Sequence, residues 1–371
     1  ALLAGARPRP ETVFIGGGTP TLLSPAQLQR LLATLARHID FSRVAEFTVE
    51  ANPNTFDAAR ERVLAGGGVN RISIGAQSFL PAELATLQRD HDPSSVAPAV
   101  EAARRAGIDN INIDLIFGIP GQTLATWRHS LDRALHLHPD HLSCYSLIYE
   151  PTTAMTSRLK RGEFQAIDEE LEMEMFAYVY ERLRQEGYGR YEVSNYARSG
   201  RECRHNMHYW KGSNWLSFGP SAAAHVGWAA TSTRLAEGFR WKNVTHLAHY
   251  LEALAAEGAT AGRMPDESVL PWTQMEHFRG AEWVAERAAF WLRLSDGLQY
   301  AEFQERTGMN ARPRLEAVLA KYVSLDLVEL TAERARLTEK GVAVSNRIFG
   351  DVLAEFSDAG ALRDEVFGPT R

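Results

Sequence analysis

The stretch Asn110-Ile-Asn-Ile-Asp-Leu-Ile-Phe-Gly-Ile-Pro-Gly-Gln-Thr123 carries the pattern that decides the fold. Asn112 and Asp114 alternate with apolar neighbours, which predicts a strand over Asn110–Phe117 with one polar and one apolar face. Gly and Pro then end the strand and lead into a predicted helix over Leu124–Leu135. Because a carboxylate in the middle of a covered parallel strand is costly unless something satisfies it, Asp114 is a candidate site residue.

The same alternation of strand and helix occurs throughout the first half of the chain. Short β-branched runs predict five strands: Val13–Ile15, Phe47–Glu50, Asn70–Gly75, Asn110–Phe117 and His141–Leu147. The first predicted helix opens at Ser24-Pro25 with Gln27 three residues after the serine, which is the sequence signature of a capping box. Repeated units of this length predict an α/β protein with a parallel sheet, in the form of a whole or partial (β/α) barrel.

The pattern changes from Pro151 onward. Residues Asp168–Glu186 predict one long amphipathic helix, and short Tyr- and Trp-rich segments follow it as far as about Asn243. From about Glu282, helices followed by a β-ribbon that ends near Gly341 predict a small winged-helix-like module. We therefore divide the chain into a barrel over 1–150, an α+β extension over 151–270, a helical, winged-helix-like module over 271–350 and a loose tail over 351–371.

The composition is that of an ordinary globular protein. The 371 residues include 40 Lys and Arg against 46 Asp and Glu, a formal charge of −6, which argues against nucleic acid as a partner. No apolar run approaches the length of a membrane span, and Ala1–Pro10 lacks the core of a signal peptide. Cys144 and Cys203 are the only two cysteines, which is typical of a cytoplasmic protein.

Four successive predicted strands carry small or polar residues, three of them at the strand end and the fourth within the strand. They are Gly16–Gly18, Glu50, Gln77 and Asp114. Because the site of a parallel barrel is built at the carboxyl ends of its strands, this set predicts a site for a small polar ligand. Each residue also has a structural interpretation: the glycines as a tight turn, Glu50 as a cap of the Asn52-Pro53 turn, and Asp114 as the partner of an arginine.

Four ordered segments resemble the signatures of the HemN/HemW family of radical S-adenosylmethionine (SAM) proteins. They are Thr12-Val-Phe-Ile-Gly-Gly-Gly-Thr-Pro20, Glu50-Ala-Asn-Pro53, Arg71-Ile-Ser-Ile-Gly-Ala-Gln-Ser-Phe79 and Asn112-Ile-Asp-Leu-Ile-Phe-Gly-Ile-Pro-Gly-Gln-Thr123. The similarity extends from about Glu11 to about Gly341. The resemblance implies an α/β fold with a partial (β/α) radical SAM barrel that binds SAM across its open top.

The resemblance also implies which residues contact SAM. By position they are Gly17, Gly18, Thr19, Glu50, Gln77, Arg89 and Asp114. The two glycines and the threonine match the motif that holds the methionine amino group, and the glutamate matches the carboxylate that takes the ribose hydroxyls. The other three match the remaining polar contacts, which suits the ammonium, hydroxyl and carboxylate groups of the ligand.

The segment His205-Asn-Met-His-Tyr-Trp210 resembles the HNxxYW motif of the heme-chaperone branch of this family. A neutral imidazole can ligate heme iron, so His205 is the candidate ligand, and Tyr209 and Trp210 offer flat amphipathic faces to a macrocycle. The alternative is that Tyr209 and Trp210 pack a loop onto the barrel and that His205 hydrogen-bonds to backbone. His225, in Pro220-Ser-Ala-Ala-Ala-His225, aligns with a GAH segment of the family and is a further candidate ligand, together with His208.

The remaining histidines and cysteines receive structural interpretations. Two histidine groups are predicted to face solvent: His136, His138 and His141, and His246 with His249. Cys144 lies in a predicted strand and is expected in the core. Cys203 adjoins the HNxxYW segment, but one cysteine cannot hold an iron–sulfur cluster.

The resemblance includes one departure. Radical SAM chemistry needs a CxxxCxxC loop that holds a [4Fe–4S] cluster, which the family places before the Gly-Gly-Gly-Thr-Pro segment. Residues Ala1–Ile15 contain no cysteine, and Val13–Ile15 would be an exposed apolar edge strand. We expect the natural protein to start upstream with a strand and this loop, and we expect a cluster only if that segment exists. A late gene start and a true loss of the chemistry are the alternatives.

The sequence therefore favours a heme-binding protein that passes heme to an acceptor hemoprotein, with a membrane-associated acceptor left open, on a SAM-binding scaffold. The alternative from another class is an oxygen-independent coproporphyrinogen III oxidase, a radical SAM oxidoreductase of porphyrin biosynthesis. A third interpretation is a degenerate scaffold kept for protein contacts. Whether the chain is an enzyme stays open, because the cluster cysteines are absent from it.

Overall fold

The chain folds into two compact units, the barrel unit over Arg7–His205 and the C-terminal unit over Asn206–Arg371. The computed structural model describes residues 7–151, 153–230, 236–255 and 272–355. Most of the predicted tail over 351–371 lies outside these ranges, and the three-way division at residues 150 and 270 stays a prediction.

A sheet of seven strands forms the centre of the barrel unit. Its strands are β1 (Thr12–Ile15), β2 (Glu46–Ala51), β3 (Arg71–Gln77), β4 (Asn110–Phe117), β5 (His141–Ser146), β6 (Gly189–Arg190) and β7 (Asn195–Ala197). The order is β1-β2-β3-β4-β5-β7-β6, and β1 to β5 run parallel. β7 pairs antiparallel with both β5 and β6. Parallel strands in sequence order with helical crossovers make a partial (β/α) barrel, as predicted.

Helices cover one face of the sheet: the first five connect one parallel strand to the next, and the last two lie in sequence between β5 and β6. They are α1 (Pro25–His38), α2 (Ala58–Gly66), α3 (Pro81–Thr86), α4 (Val96–Arg105), α5 (Leu124–Leu135), α6 (Ala154–Lys160) and α7 (Glu169–Gln185). The predicted capping box of α1 is confirmed, since the Ser24 hydroxyl accepts the Gln27 N–H and the Gln27 side chain accepts the Ser24 N–H. The bounds predicted for β4 and α5 are confirmed as well.

The two faces of β4 show how the sheet is layered. Ile111, Ile113 and Leu115 are fully buried in the hydrophobic core that the sheet forms with its helices. Asn112 and Asp114 lie on the opposite face, which is the concave, inner face of the partial barrel. The polar half of the alternation therefore lines the interior of the barrel, where a ligand site is expected.

The C-terminal unit contains two small antiparallel sheets and a set of helices. The first sheet consists of β8 (Ala223–Trp228), β9 (Glu237–Asn243) and β10 (Trp272–Arg279), and the second of β11 (Leu298–Gln299), β12 (Val328–Leu330) and β13 (Arg334–Leu337). After α8 (Arg204–Trp210), the helices are α9 (Leu247–Ala255), α10 (Ala281–Trp291), α11 (Tyr300–Thr307), α12 (Arg312–Val323), α13 (Glu339–Ala343) and α14 (Ser345–Glu355). Helices α10 to α12 followed by the β12–β13 ribbon match the predicted winged-helix-like module. Across the described ranges, no helix has the length and apolar character needed to cross a bilayer.

Candidate functional site

The glycines after β1 form the first part of a polar edge at the carboxyl ends of the parallel strands, which we call the rim. Gly17 and Gly18 have positive φ angles of 80° and 66°, a conformation that favours glycine. The Gly17 N–H donates to the Glu50 carboxylate at 3.0 Å. A Cβ on Gly16 would lie 2.5 Å from the Phe14 ring, so no side chain fits there. The triplet is thus a tight turn whose backbone is also open to a ligand at Gly17 and Gly18.

Two carboxylates face each other on the inner face of the sheet, Glu50 on β2 and Asp114 on β4. Burial raises the pKa of Glu50, and the charge of Asp114 adds to this effect, while the Gly17 N–H opposes it. Burial also raises the pKa of Asp114, against hydrogen bonds that favour its ionised form. Gly75 is the partner of Asp114 on the intervening strand β3, and the Gln77 side chain lies over it, since a Cβ on Gly75 would be 2.9 Å from Gln77 Nε2. A cationic or hydroxyl-rich ligand would relieve this repulsion.

A hydrogen-bonded chain runs from Asp114 into the interior of the barrel. Ser73 Oγ donates to Asp114 Oδ2 at 3.0 Å, and Asn112 Nδ2 donates to Asp114 Oδ1 at 2.7 Å. The Oδ1 of Asn112 lies 2.6 Å from His141 Nδ1, and His141 Nε2 lies 2.8 Å from the Tyr191 hydroxyl. Because Asn112 donates through its amide nitrogen, its oxygen accepts from Nδ1–H of His141, and Nε2 accepts from Tyr191. This series of hydrogen bonds fixes the position of the Asp114 carboxylate.

The prediction that His141 faces solvent was wrong. Its side chain is fully buried, because His141 begins β5 on the same inner face as Ser143. Burial and the nearby Arg71 guanidinium hold the pKa of His141 well below its usual range, so the ring is neutral. The period-2 run of polar residues His141, Ser143 and Tyr145, which repeats the pattern of β4, was the signal that could have identified it. His136 and His138 are exposed, as predicted.

The other predicted SAM contacts lie around the rim without joining this network. Gln77 ends β3 after a bulge and has a positive φ of 62°, which is unusual for a residue with a side chain. Arg89 is exposed beyond α3 and makes no ion pair with any residue that the structure describes. Thr19 is half-buried before a 3-10 turn, and its side chain makes no capping hydrogen bond there. The structure therefore brings Gly17, Glu50 and Asp114 together, whereas no contact links Arg89 or Thr19 to them.

His205 lies at the amino ends of β1 and β2, the opposite end of these strands from the rim. Its Nδ1 is 2.9 Å from the Thr12 hydroxyl, and its ring stacks on Phe14 with centroids 5.1 Å apart. The backbone N–H groups of Arg204 and His205 donate to the Glu46 carboxylate at 2.9 and 3.0 Å. The ring of His205 thus contacts a side-chain hydroxyl on β1.

Tyr209 and Trp210 pack within the C-terminal unit. The Tyr209 ring lies 4.5 Å from that of Trp215, measured between centroids. Trp210 meets Phe290 edge-on at 6.0 Å and has the Arg293 guanidinium 4.4 Å over its ring. Both aromatic residues are half-buried, so packing accounts for part of their surface and the rest is accessible.

The further candidate His225 is fully buried in the C-terminal unit. Burial and the Arg287 guanidinium lower the pKa of His225 to about 3, and Arg287 donates to its ring. In this arrangement His225 does not present a ring nitrogen to a ligand. The predictions for His246 and His249 are confirmed, since both are exposed on or next to α9.

The two cysteines do not fit an iron–sulfur cluster. Cys144 is buried on β5, where burial raises the pKa of its thiol, and its expected place in the core is confirmed. Cys203 is buried at the amino end of β2, with Sγ 3.4 Å from Glu46 Oε1. Neither lies at the rim, and the described ranges contain no group of three metal-ligating side chains. No chemical step through a cluster is therefore assigned to these residues.

The fold and the polar rim define a class, the partial (β/α) barrels of the radical SAM superfamily, and the profile of that superfamily matches residues 1–134. The profile of the HemN C-terminal domain matches residues 281–344. The chain is 33% identical over 350 residues to the heme chaperone HemW of Bacillus subtilis, covering 94% of this chain and 87% of that protein. It is 35% identical to the heme chaperone HemW of Mycobacterium tuberculosis, covering 93% and 81%. The chain belongs to the HemN/HemW family of radical SAM proteins.

A solved structure supports the fold. Coproporphyrinogen III oxidase (HemN) from Escherichia coli, described as a radical SAM enzyme, superposes with a TM-score of 0.73 at 22% identity. The match covers 93% of this chain and 78% of that one. It extends across both units, each of which therefore has a counterpart in a solved structure of the same fold.

Proposed function

We propose that this protein is a heme chaperone, which binds heme and transfers it to an acceptor hemoprotein. The observation that carries the proposal is the His205-Asn-Met-His-Tyr-Trp210 segment, in a chain whose relatives over more than nine-tenths of its length are named heme chaperones. Heme is the cargo in this function, and the acceptor is a protein of unspecified location.

His205 is the proposed iron ligand. An imidazole nitrogen is a common axial ligand of heme iron, and the ring is half-buried, so one side is shielded while another is accessible. Tyr209 and Trp210 follow one helical turn later in the sequence and would supply apolar contact area to the macrocycle. A chaperone must also release its cargo, and a single protein ligand on a partly exposed residue suits release better than a closed pocket does.

The rim is the proposed SAM site. Its residues fit the ligand, because Glu50 and Asp114 are carboxylates whose pKa values burial raises, even though the Arg71 guanidinium partly offsets this effect at Asp114. Gly17 and Gly18 would hold the methionine amino group, and Glu50 the ribose hydroxyls. The exposed Arg89 guanidinium would pair with the methionine carboxylate. SAM bound here would supply a sulfonium group and an adenosyl group.

The proposed function is tested by titrating the protein with ferric heme and recording the Soret band. His205→Ala should shift the band and weaken binding, because the iron loses its imidazole ligand. His136→Ala is the matched control, since His136 is exposed and is expected to leave the spectrum unchanged. Unaltered spectra in His205→Ala would contradict His205 as the ligand, and the absence of heme binding by the unaltered protein would overturn the function.

A further inference from the structure

The loop that follows α3 carries Arg89, the proposed partner of the methionine carboxylate, and His91 two residues later. We propose that His91 is a positioning residue, which fastens this loop to the end of β3 and so places Arg89 beside the ligand at the rim. This inference rests on the proposed SAM site and deepens it, because it adds a residue that acts on the ligand only through Arg89.

The ring of His91 fastens the loop to the sheet. His91 is 4% exposed, whereas the three residues before it, Gln88–Asp90, are exposed. Its Nε2 lies 2.9 Å from the backbone oxygen of Ala76 on β3. A carbonyl oxygen has no proton to donate, so Nε2–H of the histidine is the donor. The chemistry of the acceptor therefore fixes the direction of this hydrogen bond.

The acceptor of this bond lies within the rim itself. Ala76 is in the bulge at the end of β3, directly before Gln77, which has the positive φ of 62°. The same oxygen accepts the Ser78 N–H at 2.7 Å, so it is bonded on both sides of the bulge. The His91 ring therefore connects two of the proposed SAM contacts, Gln77 beside its acceptor and Arg89 in its own loop.

The main chain at Arg89 is also held from the helix that precedes it. The Arg89 N–H donates to the Leu84 oxygen at 2.9 Å, the long bond of a Schellman motif, and Gln88 has the positive φ of 56° that this motif requires. The Asn54 side chain, in the turn after β2, donates to the Asp90 oxygen at 3.4 Å. The loop is thus bonded to α3 before Arg89 and to the ends of β2 and β3 after it.

The remaining polar atom of the His91 ring argues against a role in packing alone. Nδ1 is buried and has no hydrogen-bond partner among the residues that the structure describes. Burying a polar atom without a partner disfavours the folded state, and a leucine would fill the space without this cost. The Nε2–H bond to Ala76 is therefore the feature that explains a histidine at this position.

The test measures dissociation constants by titration calorimetry of the full chain with S-adenosylhomocysteine and 5′-methylthioadenosine. The first probe carries the amino-acid tail with its carboxylate, and the second ends at the methylthio group. We expect His91→Leu to weaken binding of the first probe about 3-fold to 10-fold and to leave binding of the second unchanged. His91→Gln should restore the affinity, because its amide nitrogen can donate in place of Nε2–H. His136→Leu, at a ring bonded to a backbone oxygen at the end of α5, is the matched control.

A double-mutant cycle separates positioning of Arg89 from a general effect on the fold. If His91 acts through Arg89, His91→Leu causes no further loss of affinity for S-adenosylhomocysteine in a chain that already carries Arg89→Ala. Additive losses in the double variant, or equal losses for the two probes in His91→Leu, would overturn the positioning role.

A measurement without ligand separates this inference from the site on which it rests. The Arg89 amide hydrogen should exchange with solvent faster in His91→Leu than in the wild-type protein, and at the original rate in His91→Gln, because only leucine removes the bond to β3. An unchanged exchange rate in His91→Leu would contradict the inference. If exchange accelerates as expected but the wild-type protein binds neither probe, the proposed SAM site fails while the attachment of the loop by His91 stands.

Discussion

Asp114 illustrates, at the scale of single residues, how a site residue lowers the stability of the fold that carries it. Burial raises the pKa of Asp114, so its ionised form is disfavoured in the folded chain relative to the unfolded one. Asp114→Asn removes this cost at neutral pH, because the amide is neutral and has nearly the same shape. We expect the substitution to raise the free energy of unfolding by about 0.5–2 kcal/mol at pH 7, a usual gain when a functional residue is replaced.

The pH dependence of this stability difference shows whether ionisation of Asp114 causes it. A folded pKa above the unfolded value means that the folded chain takes up the proton first as the pH falls, so wild type gains stability relative to Asp114→Asn on acidification. Urea unfolding should therefore show an advantage of the variant that shrinks from pH 8 towards pH 4. Asp132→Asn, at a more exposed carboxylate on α5, is the control. A constant difference at every pH would rule out ionisation of Asp114 as the source.

At the scale of an element, the end of β3 has a backbone conformation that costs stability. A bulge at Gly75–Gln77 lets the strand end with Gln77 at a positive φ of 62°. Such a conformation costs a residue with a side chain about 1–2 kcal/mol, more if it is β-branched. Thermal unfolding should show Gln77→Gly equal to or more stable than wild type and Gln77→Val less stable by at least this amount. If valine is tolerated at this position, the strand end is not held in the left-handed conformation.

Acid sensitivity is a property of the whole molecule, because each unit contains one fully buried histidine with a lowered pKa: His141 in the barrel unit and His225 in the C-terminal unit. Unfolded histidine takes up its proton near pH 6.5, whereas His225 resists protonation to about pH 3. Stability is therefore lost as the pH falls below about 6.5, at up to about 1.4 kcal/mol per pH unit for each proton. In the barrel unit, the raised pKa values of Glu50 and Asp114 act in the opposite direction.

We therefore expect the C-terminal unit to lose stability more steeply between pH 6.5 and pH 4 than the barrel unit does. Tryptophan fluorescence distinguishes the two, since Trp127 is the one tryptophan of the barrel unit and the other seven belong to the C-terminal unit. Urea unfolding followed by this signal gives the free energy of unfolding at each pH. We expect His225→Gln to reduce the slope of this free energy against pH, and His246→Gln, at an exposed position, to leave it unchanged. If the slope in His225→Gln equals that of the wild-type protein, the acid sensitivity comes from other groups.

The sequence by itself determined the elements and the class of fold. The bounds of β4 and α5, the capping box of α1 and the polar face of β4 all follow from local periodicity and capping chemistry, which act over a few residues. The ordered motifs also identified the family. The residues at the rim were predicted together because parallel strands in sequence order bring their carboxyl ends to one edge of the sheet.

Only the tertiary structure decided which side chains meet across the sheet. His141 was predicted to face solvent because the group His136, His138 and His141 straddles a predicted helix end and strand start, yet it is buried by its register beside Asn112 on β4. The contacts of Thr12 and Glu46 with His205 and its backbone span 193 and 159 residues, respectively. Periodicity states which face of a strand a residue occupies, but the partner on that face depends on strand order, register and the path of the returning chain. These long-range choices have no local signal in the sequence.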